Sequence, residues 1–156
     1  MSNIDEYDVN ILTLLQENGR LTNQELSEMV GLSPSQCSRR RISLEQQQLI
    51  LGYHARLAPK ALKQEIMAMV EVKLTSHEDE ISSGFHDFLS NEPTVIDAYK
   101  TTGDADYSLK IVVEDLTSLN DQISRFFQTK LVSHIKTSIV LDRIKESGIA
   151  SAIQHN

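Results

Sequence analysis

Cysteine occurs once in this chain of 156 residues. A single thiol rules out an internal disulfide framework and any zinc site built on cysteines, which fits a reducing cytoplasm. Cys37 sits where a small packing residue belongs, so it reads as packing and not as a nucleophile. No apolar run approaches the roughly eighteen residues that a membrane-spanning helix needs. The acidic opening MSNIDEYD has no signal-peptide core. Low-complexity and disorder-prone stretches are missing as well, and 40% hydrophobic residues suffice for real cores in one domain or two small ones. Catalytic signatures are equally scarce: there is no phosphate-binding glycine loop, dinucleotide fingerprint or nucleophile elbow. His54, His77, His86, His134 and His155 lack the spacing of metal ligands, and Glu78, Asp79 and Glu80 read as the acidic start of a helix. No catalytic residue, metal or cofactor is expected.

Positive charge is also in short supply, with a formal net charge of −7. Screening confines charge effects to about 10 Å at ordinary salt, so the local balance matters more than the total. From Ser33 to Leu57 the basic residues are Arg39, Arg40, Arg41 and Arg56, against Glu45 alone. The chain therefore reads as a basic tip on an acidic body, a poor partner for polyanions in general and one that needs the right docking.

What is present is a repeated helix start. In LTNQELSEMVGLSPSQCSRRRISLE, from Leu21 to Glu45, Thr22 and Glu25 form a capping box, with Leu21 and Leu26 as a hydrophobic staple. Eleven residues later the device recurs: Ser33 caps, Pro34 fits the first helical position, Gln36 closes the box, and Leu32 and Cys37 take the staple positions. Gly31 supplies the left-handed residue between them. A short helix, a tight glycine turn and an arginine-bearing second helix spell a helix-turn-helix, which presents one helix to DNA. Capping boxes also occur in ordinary helical hairpins, and it is the arginine cluster that tips the reading towards DNA. Ser33, Ser35, Gln36, Arg39, Arg40, Arg41 and Ser43 are the candidate DNA-binding residues. Ser35, Gln36 and Arg39 suit base edges, while Arg40 and the amides near Ser33 suit phosphates.

The flanking chain supplies the rest. Ile4 to Glu17 reads as a first helix capped by Asp5, with Asp8 in the first turn and Ile11, Leu12 and Leu15 as its buried stripe. Leu26, Met29 and Val30 are expected to face inward on the second helix. Residues 1–50 thus form a three-helix, winged-helix-like helix-turn-helix domain. Residues 51–64 form a connector, and LILGYHARL, from Leu49 to Leu57, is strand-like and is expected to pair with another copy or another part of the chain. Residues 65–156 change period. IMAMVEVKLT alternates as a strand with Ile66, Ala68, Val70, Val72 and Leu74 on one face. A helix capped by Ser76 follows, then strands over Thr94–Thr102 and Tyr107–Glu114 joined through Gly103-Asp104-Ala105. A helix capped by Asp115 or Thr117 and a last strand over His134–Asp142 complete the order β-α-β-β-α-β of the ferredoxin-like fold. The overall class is α+β. Met67, Met69, Val112 and Val140 fall on the sheet face away from the helices, an apolar patch expected to pack against a second copy.

The whole chain resembles the Lrp/AsnC family, the feast/famine transcription regulators of bacteria and archaea. The resemblance rests on Asp5, Asp8, Ile11 and Leu12, on GRLTNQELSEMVGLSPSQC, on Arg40, Leu44 and Glu45, on GYHARL, and on PTVIDAYKTTGDADYSLKIVVEDL. It implies a cytoplasmic, nucleoid-associated protein that binds double-stranded DNA, self-assembles as a dimer and further to an octamer, and responds to a small effector, usually an amino acid. The implied effector residues are Tyr99, Thr101, Thr102, Gly103, Asp104 and Asp106. Amides freed near Gly103 would take a carboxylate, and Asp104 or Asp106 an ammonium group. By themselves Gly103 and Asp104 fit a plain hairpin turn. Three positions depart from the family pattern: Arg41 replaces an aliphatic residue, Gln48 the glycine that ends the helix, and Lys63 a glycine before the first strand. Two rival readings share the layout. One is an effector-blind architectural DNA binder. The other is a sirohaem-decarboxylase-like enzyme, which would leave the arginine-rich helix without a purpose.

Overall fold

The computed structural model describes residues 4–58 and 61–145. Two compact units emerge, residues 4–56 (with Lys145) and residues 57–144. The first half of the expected connector thus belongs with the first unit, and the expected second domain runs on beyond the described residues.

The first unit contains α1 (Glu6–Glu17), α2 (Asn23–Val30) and α3 (Pro34–Gln46). All three open on a reciprocal capping box: Asp5 with Asp8, Thr22 with Glu25, and Ser33 with Gln36. Each such cap contributes on the order of 1 kcal/mol, which matters for helices this short. Ile11, Leu15, Leu21, Leu26, Cys37 and Leu44 form the core, so both expected staples close and the thiol of Cys37 is buried packing. Burial raises the Cys37 pKa, opposed by the nearby Arg40 charge, which keeps the thiol protonated and inert.

Met29 departs from expectation, being exposed. At about 100° per residue, the azimuth of Val30 falls between Leu26 and Ser27, and Met29 lies roughly 60° outside that arc. Ser27 takes the inward place, its hydroxyl satisfied by the Gln24 carbonyl at 2.7 Å.

The departure at Gln48 has a structural counterpart. Gln48 adopts φ +57°, the left-handed region where a helix end normally places glycine. The Leu49 amide reaches back to the Leu44 carbonyl at 2.9 Å, and the Gln48 amide to that of Glu45 at 3.0 Å. This is a complete Schellman motif built on a non-glycine residue, at a cost of about 1 kcal/mol. Lys63 likewise takes φ +50°. The segment 51–58 carries no strand, and Leu51 is 89% exposed. A strand exists only through its ladder partner, and the described residues of one protomer place none beside this segment.

The second unit is β1 (Ile66–Leu74), α4 (Asp79–Ser90), β2 (Val95–Lys100), β3 (Tyr107–Val113), α5 (Leu116–Gln128) and β4 (Val132–Ile139). The sheet order is β2-β3-β1-β4, antiparallel throughout, as the ferredoxin-like topology requires. Ala68, Val70, Val72 and Leu74 pack with Phe85, Tyr107, Leu109, Ile111, Val113, Leu119 and Phe126. Asp115, not Thr117, caps α5, accepting the Ser118 amide at 2.7 Å. Ser76 does not cap α4. It accepts the Glu78 amide at 3.1 Å in a turn before the helix, and Asp79 and Glu80 fill the first turn, where the helix dipole favours them.

The sheet face away from the core is less apolar than the sequence implied. Met67 and Val112 are register partners and are already buried within the chain, at 7% and 3% exposure. Val140 is half-buried. Pairing brings charged residues to the same face: Lys110 lies 3.8 Å from Asp97, and Lys136 lies 3.2 Å from Glu71. Of these, Glu71 follows from the alternation within β1, whereas Asp97, Lys110 and Lys136 reach the face only through pairing across strands.

Candidate nucleic-acid interface and effector loop

The three arginines of α3 have three different fates. Arg40 turns back onto α1, placing Nη1 2.8 Å from both Asp5 and Asp8 with its guanidinium over the Tyr7 ring. The hydrogen bond to Asp8, followed by that to Asp5, raises the Arg40 pKa. The Asp8 amide, with Arg40 adding to it, holds the Asp5 carboxyl below the usual carboxylate range. A depressed carboxylate stabilises the fold above the ordinary Asp pKa, and the contribution fades as pH falls through the lowered value. Arg40, expected as a phosphate contact, is thus held against α1 as an internal clamp in this structure.

Arg41 is spent as well. Its Nε donates to the Tyr53 hydroxyl at 2.9 Å, Nη1 donates to the Leu21 carbonyl at 3.0 Å, and Glu45 sits 3.5 Å away. The guanidinium also stacks over the Tyr53 ring, 4.6 Å from its centre. Tyr53 in turn donates to Glu45 at 2.9 Å, and burial together with that bond pushes its phenol up. Arg41, one of the departures noted in the sequence, thus pins α3 to the chain that follows.

Arg39 alone projects from the helix; among the described residues its guanidinium has no partner. It lines an open groove with Ser35, Ser38, Ile42, Ser43 and Gln46. Of the expected DNA-binding residues, Ser35, Arg39 and Ser43 come together here. Gln36 and Ser33 are tied to each other, with the Ser33 amide 3.0 Å from Gln36 Oε1. The sequence reading missed Ser38, Ile42 and Gln46. Their spacing from Ser35 and Arg39, three or four residues and multiples of it, is the signal that places them on the same face.

In the second unit, residues 101–106 join β2 to β3 as a six-residue loop, longer than a tight hairpin turn. Asp106 anchors one end. Its Oδ2 accepts the Leu74 amide at 2.8 Å, Oδ1 lies 3.6 Å from His77 Nδ1, and its own amide donates to Val72. The next residue, Tyr107, shares a 2.8 Å hydrogen bond with His86. The Thr101 amide closes the loop on the Asp106 carbonyl at 2.9 Å, and its hydroxyl donates to Ala105. Thr102, Gly103 and Asp104 form the exposed tip, and among the described residues their amides have no internal acceptor. Gly103 has φ +114°, while a Cβ there would meet nothing within 4 Å. It is the backbone angle that requires glycine. Tyr99, 59% exposed, stands on the outer face of β2 leading into the loop.

Among the described residues no helix is long and apolar enough to cross a membrane. The family model for the AsnC-type helix-turn-helix domain matches residues 4–45, and that for the Lrp/AsnC ligand binding domain matches residues 67–150. Over 145 residues the chain is 34% identical to the leucine-responsive regulatory protein of Rhizobium meliloti, spanning 92% of this chain and 93% of that one. Identity to the leucine-responsive regulatory protein of Escherichia coli (strain K12) is 32% over 145 residues, 92% of this chain and 88% of that one. Among solved structures, a transcriptional regulator of Neisseria meningitidis in complex with L-Met superposes with a TM-score of 0.87 at 31% identity, covering 97% of both chains. A capped helix pair presenting α3, a ferredoxin-like unit with a glycine-bearing loop, and family matches to each of them in order lead to one conclusion: the chain belongs to the Lrp/AsnC family of transcriptional regulators.

Proposed function

We propose that this regulator reads a specific operator by laying the Ser35–Gln46 face of α3 in the major groove, and that an amino acid bound at the 101–106 loop modulates that binding. The observation that carries the first half is the arginine arrangement. Arg40 and Arg41 are held inside the unit, so among the three arginines of α3 the guanidinium directed outward is that of Arg39, on the face with Ser35, Ser38 and Ser43. A single bidentate arginine among short polar side chains suits a guanine edge, the commonest specific contact in the groove.

For the second half, the unoccupied amides of the loop tip suit a carboxylate. Both carboxylate oxygens of Asp106 already face Leu74 and His77, which favours Asp104 as the partner for an ammonium group. The L-Met complex of the Neisseria regulator supports an amino acid as the effector class. Self-association completes the reading, since two-fold symmetric readers place their helices about one helical turn apart on half-sites. The strand-free segment 51–58 and the exposed Tyr99 and Met69 on the outer sheet face are the surfaces offered to a second copy.

Two measurements test this. Arg39→Ala is expected to lower affinity for a selected operator by about 1–3 kcal/mol, relax specificity at one base pair, and reduce the salt slope of binding by no more than about one. Arg40→Ala should leave the salt slope unchanged and lower the melting temperature. A larger slope change for Arg40→Ala than for Arg39→Ala would reverse the two roles. A thermal-shift screen against the twenty amino acids should yield a ligand that stabilises by about 2.7 kcal/mol at 100 times its dissociation constant. Asp104→Asn should abolish that shift. Asp106→Asn keeps an acceptor for the Leu74 amide and should retain it, so the opposite result would assign the ammonium group to Asp106.

A further inference from the structure

Ile42 is the one large apolar residue on the outward face of α3, and it is 49% exposed in a groove otherwise lined by three serines, Arg39 and Gln46. A lone exposed isoleucine normally needs no explanation. Its position is what gives this one meaning. Ile42 lies three residues after Arg39 and seven after Ser35, which at 3.6 residues per turn keeps all three on one stripe. Ser35, Ser38 and Ser43 are too short to extend beyond the helix surface, so the reach towards base edges falls to Arg39, Ile42 and Gln46. Ile42 has no donor or acceptor to offer. The one apolar group that the major groove displays is the 5-methyl of thymine.

Resting on the helix-in-groove reading above, we propose that Ile42 is a specificity-determining residue that recognises the 5-methyl group of a thymine in each half-site. The advance along α3 from Arg39 to Ile42 is about 4.5 Å, against about 3.4 Å per base pair. The thymine therefore lies within two base pairs of the guanine taken by Arg39. Side chains this close read adjacent steps, so the half-site should carry a guanine and a thymine as neighbours or separated by one pair.

The test uses the full chain. Sites are first selected from a random duplex library. Each thymine near the selected guanine is then replaced by deoxyuridine, which removes the methyl and leaves every hydrogen-bonding group in place. One such replacement should weaken wild-type binding about three- to fivefold, the worth of one buried methyl. Ile42→Ala should bind the thymine duplex more weakly and lose most of its preference for thymine over deoxyuridine. Ile42 is outside the core and alanine favours helix, so the variant should melt as the wild type does. An Ile42→Ala variant with an undiminished deoxyuridine penalty, or a wild type indifferent to every such replacement, would overturn the assignment. Failure to select any preferred sequence would instead bring down the helix-in-groove reading, and this assignment with it.

Discussion

Arg125→Ala is expected to destabilise the second unit by about 3 kcal/mol, a loss seen as a fall of roughly 10–20 °C in its melting temperature. Glu92, between α4 and β2, is a carboxylate only 4% exposed. It accepts the Gln122 amide at 2.9 Å and pairs with the Arg125 guanidinium, both from α5. The carbonyl of Glu92 also receives the Val95 amide at 3.1 Å, so the same residue sets the start of β2. Removing Arg125 strands a charge in a poorly solvated place, where the desolvation cost is no longer offset. About half of Arg125 is exposed, which lets water approach and holds the expected loss to the lower part of the 3–5 kcal/mol range for broken buried pairs. If the stranded charge is the cause, adding Glu92→Met to Arg125→Ala should recover most of the stability. A double variant no more stable than the single one would show that the Arg125 stem contributes through packing instead. The functional consequence follows from the register: a loosened start of β2 displaces Tyr99 and the loop beyond it, so the response to effector should weaken in step.

The second large effect is expected at Arg41. Arg41→Ala removes a charge-assisted hydrogen bond to the Leu21 carbonyl, a bond to Tyr53 and a ring stack at once, for about 2–3 kcal/mol in the first unit. Arg41→Lys keeps the charge but lacks the planar fork that serves Leu21 and Tyr53 together, so it should recover less than half of the loss. Tyr53→Phe should cost about 1 kcal/mol, because the stack survives while the bonds to Arg41 and Glu45 go. Urea denaturation of the full chain, followed through the helical signal, distinguishes these. A lysine variant as stable as the wild type would reduce the whole assembly to a charge effect. DNA binding of Arg41→Ala measured well below its melting temperature should fall far less than that of Arg39→Ala, since Arg41 does not reach the groove face.

Much of this protein was legible residue by residue. The boxes at Thr22 and Ser33, the left-handed Gly31, the alternation of Ile66 to Leu74 and the split βαβ order all appear in the fold as read. Errors arose where a local signal had two outlets. Ser76 is a good cap residue, yet the acidic run after it starts the helix three residues later. Met29 fits the helical period, yet Ser27 holds the inward arc.

The amino-acid order determined what is settled within about one turn of helix or one strand: where helices start and stop, which faces are apolar, and hence the family. Only the tertiary structure decided which side chains remain available to a partner. Arg40 meets Asp5 across 35 residues of chain, and Arg125 meets Glu92 across 33. Three adjacent arginines look alike in sequence, and two aspartates share the same loop. A charged group goes to whichever opposite charge or carbonyl the packing brings within about 3 Å, and that neighbour is chosen by how helices and strands assemble, not by residue type.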